Sequence, residues 1–362
     1  MIPLSRPTIT AEMKESVSQV LDSGRFAKGP KVEEFEETFA RYCYVKYGTA
    51  VSSGSAAVYL ALRALDIGNG DEVICPAHTF IATASPILLV RAKPVFVDVG
   101  DDYNIDMDDL EPKLTEKTKA VIAVHLYGQM CDMDRLMELK QKYGFYLVED
   151  ACQAHRAEYD GKMSGSFGDI SCFSFFPSKL MTVAGEGGMV VTNEEQLDVT
   201  LKALRDHGRD YRQKGGKFIS SLLGSNFRMS EISAAIGIEQ LKHLDEWIER
   251  RRKIANLYNK FLPQEIVKPV EYPKRRHVYC LYVIRTPKRK ELSQFLWKSG
   301  IETGIHYPIP LYRQPIFSVD SHLPKTEEIC QEVLSLPMYP RLKDEEVGYI
   351  CQRIGNFQEG TT

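Results

Sequence analysis

The sequence predicts an α/β protein, with a large domain built on a mostly parallel sheet covered by helices and a smaller C-terminal α/β domain. Two observations carry this. Short apolar runs of β character at 72–75, 94–98, 120–126, 146–149, 169–175 and 189–192 are interleaved, in the earlier part, with helical stretches at 81–90 and 133–143. Strands that read as near-continuous apolar runs between helices belong to sheets covered on both faces. The chain, at 362 residues, also exceeds what one hydrophobic core usually serves. The expected division is a large domain over 1–245 and a small one over 246–362.

Taken in order, Met13, Val17, Val20 and Leu21, then Val32, Phe35, Phe39 and Tyr42, recur at helical spacing over 11–22 and 31–43, punctuated by Gly24, Gly29 and Pro30. A short strand at 49–52 runs into Ser53-Gly54-Ser55-Ala56-Ala57, which opens a helix over 58–65. Such a turn presents backbone N–H groups at the positive end of a helix dipole and suits a phosphate, but taken alone the motif is more often an ordinary serine N-cap. Residues 206–224 read as a polar surface loop carrying Arg209, Arg212, Lys214, Gly215, Gly216 and Lys217. From Asn226-Phe227-Arg228-Met229-Ser230-Glu231 a long amphipathic helix runs to 257 or 258. A second αβ unit follows: a strand over 278–285, then helices over 290–298, 327–334 and 344–354, with the stiff segment 305–312 between them.

The residues able to do chemistry fall at strand ends, where open α/β sheets bind ligands. His78-Thr79-Phe80, His125-Leu126-Tyr127, Glu149-Asp150 and Ser174 to Lys179 each follow a predicted strand. Lys179 is the centre of this set. It lies between two buried runs, after two phenylalanines and before the glycine loop 185–188. Burying an ammonium is costly unless it is paired, neutralised or used covalently, which suggests a cofactor held as a Schiff base. Pyridoxal phosphate (PLP) needs such a lysine, an anion cradle, a flat group against its ring and a carboxylate that keeps the pyridine nitrogen protonated. Asp150, after the apolar run 146–148, is the candidate carboxylate, although an aspartate capping a loop is common at such a position.

These stretches resemble, in this order, the DegT/StrS family of PLP-dependent nucleotide-sugar aminotransferases: Gly54-Ser55-Ala56, Pro76 to Phe80, His125-Leu126-Tyr127-Gly128, Glu149-Asp150 with Gln153-Ala154-His155, Ser174 with Lys179, the loop 185–188, and Asn226 to Glu231. The likeness extends to Ile305-His306-Tyr307-Pro308 and Leu336-Pro337-Met338-Tyr339-Pro340. It implies a fold-type-I PLP-dependent transferase and a homodimer with two shared active sites. It further implies amino transfer from an amino acid, expected to be L-glutamate, to a keto-sugar nucleotide.

By the same resemblance Lys179 anchors the cofactor and shuttles the proton, Asp150 pairs with the ring nitrogen, Gln153 lies near the ring hydroxyl and Phe80 stacks on the ring. Ser174 and the amides of Ser55 and Ala56 hold the phosphate, which Asn226 reaches from the other subunit. His306 and Tyr307 border the sugar-nucleotide pocket. Apart from the resemblance, the basic residues of the 206–217 loop, Arg209 among them, are expected to assist with the nucleotide diphosphate. Departures from the family pattern are Arg156 in place of glycine, Cys152 in place of alanine and Ser55 in place of threonine. The related readings are an aminotransferase for a cyclic polyol ketone, a dehydratase, whose branch carries histidine at the lysine position, and a PLP-binding regulator without turnover.

Composition bounds the alternatives. A net charge of −3 disfavours nucleic acid as partner, and the basic run 250–253 lies beside Glu246 and Glu249 as a solvated helix face would. Eight cysteines without pair spacing read as reduced core thiols, the histidines form no ligand cluster, and the glycine loop lacks a P-loop's spacing. No signal segment and no apolar run of membrane-spanning length appears, so a cytoplasmic protein without metal is expected. His125 and His155 suit either core or ligand-facing positions. Glu186 suits a residue that merely turns the glycine loop.

Overall fold

The computed structural model describes residues 1–209, 218–317 and 319–360. Two helices open the chain, α1 (Ala11–Ser23), capped by Thr10, and α2 (Pro30–Tyr42), begun by a proline whose missing N–H costs nothing at that position. Strand and helix then alternate: β1 (Tyr47–Val51), α3 (Gly54–Ala64), β2 (Glu72–Pro76), α4 (Ser85–Leu89), β3 (Lys93–Val97), α5 (Met107–Leu110), β4 (Thr118–Val124), α6 (Met133–Tyr143) and β5 (Tyr146–Asp150). A small ribbon of β6 (Glu158–Tyr159) and β7 (Lys162–Met163) precedes β8 (Ile170–Ser174), β9 (Gly188–Thr192) and α7 (Glu195–Arg205). The long α8 (Glu231–Phe261) leads to β10 (Arg275–Arg276), β11 (Tyr282–Arg285), α9 (Arg289–Lys298), α10 (Pro324–Glu332), β12 (Val333–Leu336) and α11 (Asp344–Gln358).

The central sheet has seven strands in the order β1-β9-β8-β5-β4-β2-β3. The five from β8 to β3 are parallel, and β9 alone runs antiparallel to both its neighbours. Successive residues of each strand feed opposite faces. Ile74, Val121, Leu147, Phe173 and Val191 join one apolar cluster with α2 and the first half of α8; Val73, Ile122, Val148, Cys172 and Val190 join another with α3 and α7. The helix-covered sheet expected from the apolar runs is therefore present.

A third cluster gathers Ile254 and Tyr258 of α8 with β11, β12, α9 and α11. The expected boundary at 245 falls within α8, whose two halves serve different cores. The N-terminus also belongs partly to the smaller unit: Ile2 N donates to Gly300 O at 2.7 Å, and Glu302 N to Ile2 O at 2.9 Å.

Three expectations are corrected. The helix over 81–90 is a 3-10 turn, Ile81–Thr83, followed by α4, because Pro86 cannot donate and starts a new helix. The strand over 278–285 begins only at Tyr282, because Val278 N instead bonds Gly128 O at 2.9 Å, tying that segment to the turn after β4. The helix over 327–334 ends at Glu332, and Val333 and Leu334 pair with β11 as strand.

Phe39 sits at the centre of an aromatic group with Phe35, Phe173 and Phe175, directly beneath the stretch that carries Lys179. Phe39→Ala is expected to cost about 3–5 kcal/mol, seen as a lower urea midpoint at unchanged slope.

Candidate active site

Because β2, β4, β5 and β8 are parallel, their carboxyl ends share one rim, and the turns beyond them meet the N-terminus of α3. A cavity of about 410 Å³ opens there. It is lined by Ser55, Phe80, Asp150, Gln153, Ser174, Lys179, His306 and Tyr307, so eight of the residues singled out in the sequence converge.

The phosphate side is built by close approach. A Cβ at Gly54 would stand 2.6 Å from Ser174 Cβ, and one at Gly188 would stand 2.4 Å from Ser53 O. Glycine at both positions lets α3 begin against β8 and β9, which puts the Ser174 side chain at a helix N-terminus, where anions are favoured. The serine cap is also real: Ser53 Oγ accepts from Ala56 N at 3.1 Å. The two readings of this motif therefore coexist, but the Ala56 amide expected to hold phosphate is already engaged by the cap. Ser55 lines the cavity and Ala56 does not.

Asp150 ends β5 with its carboxylate in the cavity, oriented by Thr83 Oγ1 at 2.7 Å on one oxygen and by Cys152 N at 3.2 Å on the other. Across from it Lys179 Nζ makes no hydrogen bond or ion pair among the described residues. Burial pushes its ammonium toward the neutral amine, but Tyr307, Cys280, Cys152 and Asp150 outweigh that and hold its pKa above the ordinary lysine value. Gln153 is fixed at both ends of its amide: Oε1 accepts from Tyr127 N at 2.8 Å, and Nε2 lies 3.1 Å from Tyr307 Oη.

Behind this layer Glu149 faces the other side of β5, wholly buried. Its carboxylate accepts from His125 Nε2 at 2.9 Å, from the amides of Gly165, Phe167 and Gly168 at 2.7–2.8 Å and from Ser171 Oγ at 3.0 Å. Burial alone would raise its pKa; the His125 bond and the Gly165 and Gly168 amides reverse the sign and lower it. His125 accepts from Cys131 N at Nδ1, which leaves its proton on Nε2 for Glu149. It is thus a support and not a lining residue. His155 packs against Phe39, Phe173 and Phe175, and burial, then the charge on Lys179, pushes it down to about 3. Both its ring nitrogens are buried without a hydrogen-bond partner among the described residues.

Not every expected residue comes to this cavity. Asn226 bridges Asp206 in the segment before α8, and Arg209 lines a second cavity of about 370 Å³ with Lys28, Arg205 and Arg228. Arg212, Lys214, Gly215, Gly216 and Lys217 lie outside the described residues. Arg156, a departure from the family pattern, pairs with Glu158 and Asp245 at 2.8 and 3.1 Å, away from the site. Sequence reasoning missed Thr83, whose bond to Asp150 spans 67 positions, and gave no role to Glu149 or Tyr127. It also left Glu186 as a turn residue, whereas its side chain lines the cavity.

These residues fit PLP: a lysine without a hydrogen-bond or ion-pair partner among the described residues, a carboxylate held at two points, an exposed aromatic at Phe80 and a glycine-tight helix start beside Ser174. Among the described residues no group of three His, Cys, Asp or Glu could hold a metal ion, and no helix is long and apolar enough to cross a membrane.

Comparison with known proteins gives a consistent result. The model of the DegT/DnrJ/EryC1/StrS aminotransferase family matches residues 7–355. The chain is 42% identical to the pleiotropic regulatory protein of Geobacillus stearothermophilus, over 96% of this chain and 95% of that one. It is 39% identical to the GDP-perosamine synthase of Escherichia coli O157:H7, over 98% of each. The X-ray structure of S. venezuelae DesV in complex with a ketimine intermediate superposes with a TM-score of 0.92 at 39% identity, over 96% of this chain and 95% of that one.

The Glu149 cluster sets an acid limit. Its folded pKa lies below the ordinary value of 4.5, so its stabilisation is present above that value and is lost as pH falls through the folded one. Glu149→Gln is expected to cost about 3 kcal/mol at neutral pH, because an amide NH2 would face backbone donors. Urea midpoints measured across the acid range should fall less steeply in the variant than in the parent.

Proposed function

Because the chain belongs to the DegT/DnrJ/EryC1/StrS aminotransferase family, we propose that it transfers the amino group of L-glutamate to the keto carbon of a nucleotide-linked sugar. It is a PLP-dependent sugar aminotransferase of fold type I. The observation that carries the reading is the facing pair of Lys179 and Asp150 in one cavity, with Ser174 at the start of α3.

When bound, PLP supplies an electron sink for the pair left as a proton departs from the amino-bearing carbon. Lys179 Nζ anchors the cofactor and, as a free amine, takes and returns that proton. Asp150, aimed by Thr83 and the Cys152 amide, would hold the proton on the ring nitrogen through a charge-assisted hydrogen bond. Ser174 and the Ser55 amide bind the phosphate. Phe80, Gln153, His306 and Tyr307 wall the ring and the acceptor from water.

The protein acts as a cytoplasmic homodimer with shared sites in this reading. Asn226 and Arg209 stand apart from their own Lys179 cavity, as residues given to a partner's site must. Near them Leu223 is 82% exposed and Ile219 47%, an apolar surface suited to a second copy. Given the regulatory name of one relative, a PLP-binding protein without turnover is the competing reading.

One assay separates the two. Incubated with L-glutamate and a panel of 3-keto and 4-keto nucleotide sugars, the holoenzyme should yield an aminosugar by mass spectrometry. Glutamate alone should convert the cofactor absorbance to the pyridoxamine form; a spectrum that glutamate never changes would favour the regulator. Lys179→Ala should abolish the lysine-bound absorbance and turnover while preserving the fold, and Asp150→Asn should retain cofactor in part but lose most of the rate, about a hundredfold or more. Arg209→Ala is expected to raise the apparent KM for the sugar nucleotide, and an unchanged KM would remove Arg209 from the substrate site.

A further inference from the structure

β12 carries one hydroxyl among apolar side chains, Val333-Leu334-Ser335-Leu336, and all of them are fully buried. Alternation along the strand sends Leu334 and Leu336 into the third apolar cluster and Ser335 to the opposite face. A buried hydroxyl is costly unless it is bonded. Among the described residues Ser335 Oγ has one bond, to His306 Nδ1 at 2.8 Å. The backbone keeps the pair in place: Gly304 N donates to Ser335 O at 3.1 Å, and Ser335 N to Gly304 O at 2.8 Å. A Cβ at Gly304 would stand 2.8 Å from His306 Cε1 and 2.7 Å from Leu4 Cδ2, so only glycine there lets the imidazole lie against this segment.

The direction of the proton in the Ser335–His306 bond follows from donor bookkeeping. With the ring proton on Nδ1, Ser335 would accept it, and the serine's own proton would be a buried donor left unmade. With Ser335 donating, Nδ1 is bare, the ring proton sits on Nε2, and no buried donor is wasted. The ring is neutral at neutral pH, because burial, then the charge on Lys179, pushes His306 down to about 4. His306 lines the Lys179 cavity. With Nδ1 on Ser335 and Cε1 against Gly304, Nε2 is the ring nitrogen left without a hydrogen bond among the described residues, and it is not sealed off.

We propose that Ser335 is a positioning residue for the acceptor half of the amino transfer: by donating to Nδ1 it fixes His306 as the Nε2–H tautomer, which offers a hydrogen-bond donor to an oxygen of the keto-sugar. The proposal rests on the reading of this cavity as a sugar aminotransferase site. A neutral N–H suits the uncharged keto and hydroxyl oxygens of a sugar, whereas the carboxylates of the amino donor gain about twice as much from a charged partner.

The test uses full-length PLP-loaded protein labelled with nitrogen-15 in its histidines, the His306 ring being identified by the signals that His306→Phe removes. In the parent at neutral pH, Nδ1 should resonate as a bare nitrogen and Nε2 as a protonated one. Ser335→Ala should erase that preference and give mixed tautomers. In stopped-flow runs, the return of the pyridoxamine form to the PLP form by a keto-sugar nucleotide should slow about fivefold to tenfold in Ser335→Ala, while the half-reaction with L-glutamate stays within about twofold of the parent. Adding Ser335→Ala to His306→Phe should slow the acceptor step no further, because the serine acts through the histidine. A parent ring protonated on Nδ1, a Ser335→Ala spectrum identical to the parent's, or an equal loss in both half-reactions would overturn the proposal. Should Ser335→Ala fail to fold, Ser335→Cys, whose thiol is a weak donor, must shift the tautomers and the acceptor step in the same directions. The spectra need no substrate, so if no nucleotide sugar is turned over the proposed function fails there, and the tautomer of His306 still decides this inference.

Discussion

The buried carboxylate of Glu149 is the constraint on which the site depends. Removing a carboxylate from water costs several kcal/mol, which only a full set of donors offsets. Here the donors come from the end of β4, from β8 and from the 165–168 turn. They lock β5 in register with both parallel neighbours. Because side chains alternate along a strand, fixing Glu149 toward the helix α2 side fixes Asp150 toward the cavity. A slip of one residue would exchange them, placing the reactive carboxylate in the core and emptying the donor cluster.

Much of this was legible in the sequence, for physical reasons. Strands buried on both faces leave uninterrupted apolar runs, and the chemistry of a parallel sheet is confined to its carboxyl edge, so strand ends alone located Phe80, Asp150, Ser174 and Lys179 among the lining residues. The likeness to a known family then supplied roles that spacing could not. Contacts between distant segments were not legible. Thr83 reaches Asp150 from a 3-10 turn predicted as continuous helix, and Tyr127 appeared only as part of a motif because nothing in its neighbours announces a left-handed backbone. The second αβ unit was read with the wrong strand start, since Val278 prefers the turn after β4 to a sheet partner.

The two units are joined through the site as well as through α8. His306 and Tyr307, which follow α9, close the cavity over Gln153, and β10 pairs with β6 of the ribbon after β5. Two cavities, one around Lys179 and one around Arg209, lie on a single chain. In the dimer proposed above, Asn226 would serve the partner's cofactor and the second cavity, with Arg209, the partner's sugar nucleotide. The departures from the family pattern bear unequally on this. Arg156 is absorbed by Glu158 and Asp245 on the outside, whereas Cys152 lines the cavity beside Asp150.

The central claim is that Lys179 is the cofactor's covalent anchor. Reducing the PLP-loaded protein with borohydride, digesting it and sequencing the peptides by mass spectrometry tests it most directly. The account requires the reduced cofactor adduct on the peptide bearing Lys179, in near-stoichiometric yield, and its absence after L-glutamate has converted the cofactor. An adduct spread over surface lysines, or confined to a lysine other than Lys179, would contradict it.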